Sequence, residues 1–210
     1  MKVLTLTQPW ASLVACGAKR IETRPWRTRY RGPVAIHAAQ AMPRAALDFY
    51  RSEVCWSALH RAGVPDAAKA LGKAASGSQD GITLAESFGI SKREMIQAGA
   101  HAKFSGAIAL DSAQDIAALQ DALERLIKAK YGDGTGLPRG AVLAVVTLTE
   151  CVPTQDLQGL SATERAFGDY RPGRWAWLLE DLRPLPSPVD APGSLGLWTP
   201  PPELLERLLS

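Results

Sequence analysis

Cysteine is scarce in this chain: Cys16, Cys55 and Cys151 are the only three in 210 residues. They are odd in number and far apart, so neither a disulfide framework nor a cysteine zinc site follows. A reducing, cytoplasmic compartment is the simplest expectation. Histidine is equally sparse, with His37, His60 and His101 well separated, and no metal or cofactor is expected. No run of about 18 apolar residues occurs, so no membrane-spanning helix is predicted. The opening Met-Lys-Val-Leu-Thr lacks the apolar core of a secretory signal. The glycines of residues 132–140 lack phosphate-loop spacing and no Gly-Lys-Ser/Thr follows them. No internal repeat is present, and the net charge is only +3.

What is present is a concentration of cations at one end. Residues 1–31 hold Lys2, Lys19, Arg20, Arg24, Arg27, Arg29 and Arg31 against a single acid, Glu22. Trp10, Trp26 and Tyr30 sit among them. A local excess of this kind is the electrostatic footprint of a polyanion site. The 46% hydrophobic and 21% charged composition is that of an ordinary globular protein. The length suffices for one domain, or for one domain carrying an insertion.

The pattern predicts a mixed α+β order. Thr5 and Thr7 alternate with Leu4 and Leu6, a half-buried strand. Pro9 suits a first helical position, Trp10, Leu13 and Val14 share a helical face, and Gly17 suits the left-handed stop. Residues 19–24 alternate again, with Lys19, Ile21 and Thr23 on one side and Arg20, Glu22 and Arg24 on the other. Pro25 ends that strand. A polar loop with Arg27, Arg29 and Arg31 leads to a strand over 34–39 that contains His37. One helix is predicted over 43–63, a flexible loop over 73–81, and a short helix over 91–97 from capping-box spacing. Residues 105–110 read as a short strand or an extended lead-in, and 112–131 as an amphipathic helix. Residues 141–150 are the clearest strand, and 173–179 the next, with Trp175, Trp177 and Leu179 on one face. The prolines of 182–193 predict an extended loop. A short strand over 195–198 and a terminal helix over 201–209 close the chain.

Gly17-Ala-Lys19-Arg-Ile-Glu22-Thr-Arg24 fits the GxKxxExR signature of the ASCH family, named for homology to the activating signal cointegrator. The flanks fit too: Gln8-Pro9-Trp10-Ala11-Ser12-Leu13 before it, and Arg31-Gly32 with Ile36-His37-Ala38 after it. Arg139-Gly140, Phe167-Gly168-Asp169, Gly173-Arg174-Trp175-Ala-Trp177 and Gly196-Leu197-Trp198 also resemble larger bacterial members. The resemblance implies an α+β fold: a mixed β-barrel similar to the PUA fold, flanked by helices. It implies one domain with its core in residues 1–43 and 137–200, a mainly helical insertion over 44–136, and a C-terminal helix over 201–210. Family members bind nucleic acid; some small ones hydrolyse N4-acetylcytidine, and at least one is reported as a ribonuclease.

Two functions follow as expectations. The first is binding of RNA or DNA in a basic cleft. Arg20, Arg24, Arg27, Arg29, Arg31 and Arg174 would contact phosphates, with Lys19 as a further phosphate contact. Trp26 and Tyr30 would stack on bases, and Gln8 and Ser12 would meet a base edge, unless either is a helix cap. The second is hydrolysis of an acylated nucleoside or of RNA. The resemblance makes Lys19 the catalytic lysine and implies an acid from the later bend, Asp169 by register or Glu164. Glu22 stands where the acetylcytidine hydrolases carry threonine; it is a catalytic candidate, with an ion pair to Arg24 as its structural reading. Trp10, Trp175 and Trp177 are expected in the core, and His37 as a hydrogen-bonded core histidine. The partner is a nucleic acid or a modified nucleoside, with no membrane partner; the insertion is a possible docking surface for a protein.

Overall fold

The computed structural model describes residues 1–64, 125 and 135–209. The chain divides into two compact units, Met1–Val64 with Pro138–Ser210, and Pro65–Leu137. The elements predicted over 73–81, 91–97, 105–110 and 112–131 lie outside the described residues.

The first unit is built on a six-stranded mixed sheet. Its strands are β1 (Lys2–Leu6), β2 (Ile21–Arg24), β3 (Gly32–Ala38), β4 (Ala141–Pro153), β5 (Trp175–Asp190) and β6 (Leu197–Trp198). The order is β2-β5-β4-β3-β1-β6. Only β1 and β3 run parallel; the other neighbours are antiparallel. Register slips between β4 and β5 at Val142/Ala144, Val145/Thr147 and Leu148/Glu150 bend the ladder into a half-barrel, as bulges do. Asp181, at φ +48°, takes the left-handed conformation within the bent part of β5.

The alternation of the strands divides two hydrophobic layers. On one face Leu4, Leu6, Val34, Ile36, Val146, Leu148 and Trp177 pack against Ala11 and Val14 of α1 (Trp10–Ala15). On the other, Val3, Ala35, Val142 and Val145 meet Leu204 and Leu208. Those leucines belong to a terminal helix, Pro202–Leu209, and sit one turn apart on its buried face, as the sequence spacing requires.

Four expectations need correction. Pro9 is the residue before α1 and not its first helical position; its carbonyl accepts the Leu13 N–H at 2.9 Å, and the Gln8–Pro9 peptide is cis. Lys19 precedes β2, so the alternation does not govern its direction, and it reaches Glu22 rather than the opposite side. The helix expected over 43–63 is two, α2 (Arg44–Tyr50) and α3 (Glu53–Arg61). Ser52 makes the break: its hydroxyl donates to Phe49 O at 2.6 Å and accepts the Cys55 N–H at 3.5 Å, a local competitor to the helix ladder. Finally, the proline-rich stretch is strand through Asp190. Beyond Leu178, β5 pairs only with β4 among the described strands, so prolines without N–H groups sit on a free edge.

His37 lies inside β3, 1% exposed. Its Nε2 donates to Ala191 O at 3.0 Å, and Nδ1 has no partner. Burial pushes the imidazole below its ordinary value, partly offset by that bond. The unfolded chain therefore takes up this proton first as pH falls, and stability present above pH 6.5 is lost through the lower folded value. The urea midpoint is expected to fall from about pH 7 to about pH 5, with His37 titrating below its free value by NMR. A midpoint that rises over this window would contradict the assignment.

Candidate functional site

Gly17 sits at φ +78°, and its turn returns the chain from α1 to the β2 edge. The Gly17 N–H reaches Val14 O and the Lys19 N–H reaches Leu13 O, both at 2.9 Å. Lys19 is delivered inward, with its side chain fully buried. Its ammonium lies 3.5 Å from Glu22 Oε2 and donates to Ile21 O. Glu22 Oε1 stands 3.0 Å from Arg24 Nε; the misaligned N–H makes this an ionic contact rather than a hydrogen bond. Arg24 Nη2 donates to Thr5 O at 3.2 Å. The expected Glu22–Arg24 pair is thus present, and Lys19 completes a trio.

A second set of residues comes from the bend between β4 and β5. A short helix, α4, the fourth in chain order among the described residues, spans Ala162–Ala166, capped by Ser161, whose hydroxyl accepts the Glu164 N–H at 3.0 Å. The Glu164 carboxylate accepts the N–H groups of Arg20 at 2.9 Å and Ile21 at 3.1 Å, and the Tyr170 hydroxyl at 3.2 Å. It therefore clasps the start of β2. Burial first, then the Glu164 charge, drives the Tyr170 phenol well above its ordinary pKa. Asp169 donates its N–H to Thr23 Oγ1 at 3.0 Å. Arg174 donates to the Asp169 and Thr23 carbonyls at 3.1 and 3.3 Å. The Asp169 carboxylate is held well below the usual carboxylate range, chiefly by the hydrogen-bonded Arg171 side chain. That guanidinium grips it at 2.9 and 2.6 Å.

Between these two sets lies a pocket of about 350 Å³, within the range of small-ligand sites. Trp10, Phe49 and Phe167 supply an aromatic side; Glu22, Thr23 and Asp169 supply a polar one. Trp10 stacks on Phe49 with ring centroids 5.0 Å apart and planes 4° apart, and Phe49 meets Phe167 edge-on at 6.3 Å. Gly168 lets the bend approach β2 closely. A Cβ there would stand 2.8 Å from the Tyr170 ring and 3.1 Å from the Thr23 methyl.

The predicted residues divide accordingly. Glu22 and Asp169 line the pocket, Lys19 lies behind Glu22, and Glu164 braces the backbone from outside the lining. Gln8 and Ser12 are buried: the Gln8 amide accepts the Ser12 N–H at 3.1 Å and donates to Pro138 O at 2.6 Å, which is a capping arrangement. Arg20, Arg27 and Arg29 are exposed. Arg27 lies 5.2 Å over the Trp175 ring, and Arg31 faces Glu150 at 3.8 Å. Trp26 is exposed on one side and edge-on to Trp177 on the other, while Tyr30 donates its hydroxyl to Pro33 O. Trp177 is core, but Trp10 is a pocket wall. Sequence reasoning missed Phe49, Phe167, Thr23 and Arg171. Phe167 carried a signal as part of the Phe-Gly-Asp motif and Thr23 by lying within the Gly17–Arg24 stretch; Phe49 and Arg171 carried none.

Among the described residues no three His, Cys, Asp or Glu side chains gather as a metal site, and no helix is long and apolar enough to cross a membrane. A comparison with curated proteins finds none that matches. The family model for the ASCH domain matches residues 4–187. That span carries the Lys19–Glu22–Arg24 trio, the Asp169 bend and the pocket between them, and the chain belongs to the ASCH domain family.

Proposed function

We propose that this protein binds nucleic acid, RNA before DNA, with a single base in the aromatic pocket and the backbone on the arginine loop. The observation that carries the reading is the pocket itself, because its Trp10, Phe49 and Phe167 walls suit a flat ring. The loop leaving β2 continues directly into Trp26, Arg27, Arg29 and Arg31, most of it exposed. Exposed guanidiniums there hold phosphates without reading sequence. A PUA-like barrel is the shape this reading assumes for the whole domain. In filter binding with mixed-sequence RNA and DNA, affinity falls steeply with salt, and Arg27→Ala with Arg29→Ala lowers the slope by about two. A flat salt response, or no binding at low salt, defeats the proposal.

A second reading is hydrolysis of an acylated base, water adding across the C–N bond to release the acid and the amine. It is favoured by one observation: a fully buried lysine stands directly behind the carboxylate that lines the pocket. Incubation with N4-acetylcytidine and with labelled RNA tests it. If both stay intact, and Lys19→Ala alters binding alone, the reading is abandoned.

A further inference from the structure

We infer that Glu22 selects the base by its donor edge: the pocket takes a nucleobase with an exocyclic amino group and turns uracil away. This rests on the nucleic-acid reading above and adds to it the ligand's hydrogen-bonding class.

A carboxylate only accepts hydrogen bonds, at about four positions. In Asp169 these are taken: Oδ1 accepts the N–H and Nε–H of Arg171, and Oδ2 accepts its Nη2 while facing Arg174 Nε at 3.5 Å. Glu22 has one neighbour on each oxygen, Arg24 Nε and Lys19 Nζ. At least one lone pair on each oxygen is left without a hydrogen-bond donor among the described residues. Glu22 is 8% exposed, and the pocket is the hollow that it lines. A ring seated against the aromatic side of the pocket therefore meets, in Glu22, a little-exposed acceptor with spare capacity.

Two consequences follow. The lining contains no lysine or arginine among the described residues, so the pocket is built for a base and not for a phosphate. Arg171, with its side chain 82% exposed, and Arg174 stand beside Asp169, where a phosphate attached to that base finds its cations. The second consequence is discrimination. An exocyclic amino group donates to Glu22 at the rim of the base, whereas uracil offers only its N3–H, flanked by O2 and O4, which set acceptors against the carboxylate. A buried polar group left unpaired discriminates strongly.

Binding of RNA homopolymers of about eight nucleotides tests the inference, because each carries the same phosphates. Oligo(C) and oligo(A) are expected to bind at least about tenfold more tightly than oligo(U). Glu22→Gln, whose amide can donate to O4, is expected to erase the difference. That variant strips Lys19 of its charge partner and can unfold, so the ligand provides a second arm. An oligo(C) whose bases carry N4,N4-dimethyl groups, and so lack the donor, is expected to fall to the oligo(U) affinity. Equal binding of oligo(U) and oligo(C), or undiminished binding of the dimethyl oligomer, overturns the inference. Salt-dependent but base-indifferent binding sinks this inference alone, whereas no binding of any oligomer sinks the nucleic-acid reading with it.

Discussion

Glu22→Ala is expected to destabilise the fold by about 3–5 kcal/mol. The reason is the partner left behind. Lys19 is completely enclosed, and an ammonium without its carboxylate keeps only the Ile21 carbonyl in a region of low polarity. Arg24 loses its ion pair too, but it is partly exposed and still holds Thr5 O. Against a total stability of about 5–15 kcal/mol, typical of single domains, the loss is severe. The double variant Lys19→Met with Glu22→Ala is expected to recover most of it, since removing the ammonium together with its carboxylate leaves no uncompensated charge at Lys19. Urea denaturation of the three proteins measures this. A loss below about 1 kcal/mol for Glu22→Ala, or no recovery in the double variant, would mean that the trio does not hold the β2 edge.

Trp177→Ala is expected to cost about 3–5 kcal/mol by cavity formation. Trp177 is fully buried, and β2 and β4 flank it in register through Glu22 and Cys151. Trp26 rests on it edge-on, with centroids 4.7 Å apart. Its indole N–H has no hydrogen-bond partner, so Trp177→Phe removes volume without orphaning a polar contact and is expected to cost under about 2 kcal/mol. Denaturant midpoints separate the two variants. Because Trp26 loses its support, Trp177→Ala is also expected to weaken RNA binding even where the protein remains folded. Equal stability of the alanine and phenylalanine variants would contradict the packing account.

The strands read over 4–7 and 141–150, found at 2–6 and 141–153, the helix after Pro9 and the terminal amphipathic helix were legible because the local spacing of residue types announces each element. The Glu22–Arg24 pair was legible for the same reason, since residues two apart on a strand share a face. The strand through Pro184, Pro186 and Pro188 was not, because a proline's cost depends on whether a neighbouring strand needs its N–H. Pairing is a property of the sheet. The break at Ser52 was hidden as well, since a serine hydroxyl can join a helix or interrupt it.

By itself the sequence determined the family, through separated motifs in a set order, and the cation-rich opening segment with its aromatic residues. Those are properties of adjacent residues, and local spacing carries them. Only the tertiary structure decided that Lys19 is enclosed and paired, that Asp169 faces the pocket while Glu164 braces the chain, and that Trp10, Phe49 and Phe167 share one hollow. The residues that meet there, Trp10, Glu22, Phe49 and Asp169 among them, are brought together from the opening stretch, α2 and the bend between β4 and β5 by pairing and packing. No pattern along the chain encodes a distance between segments that far apart.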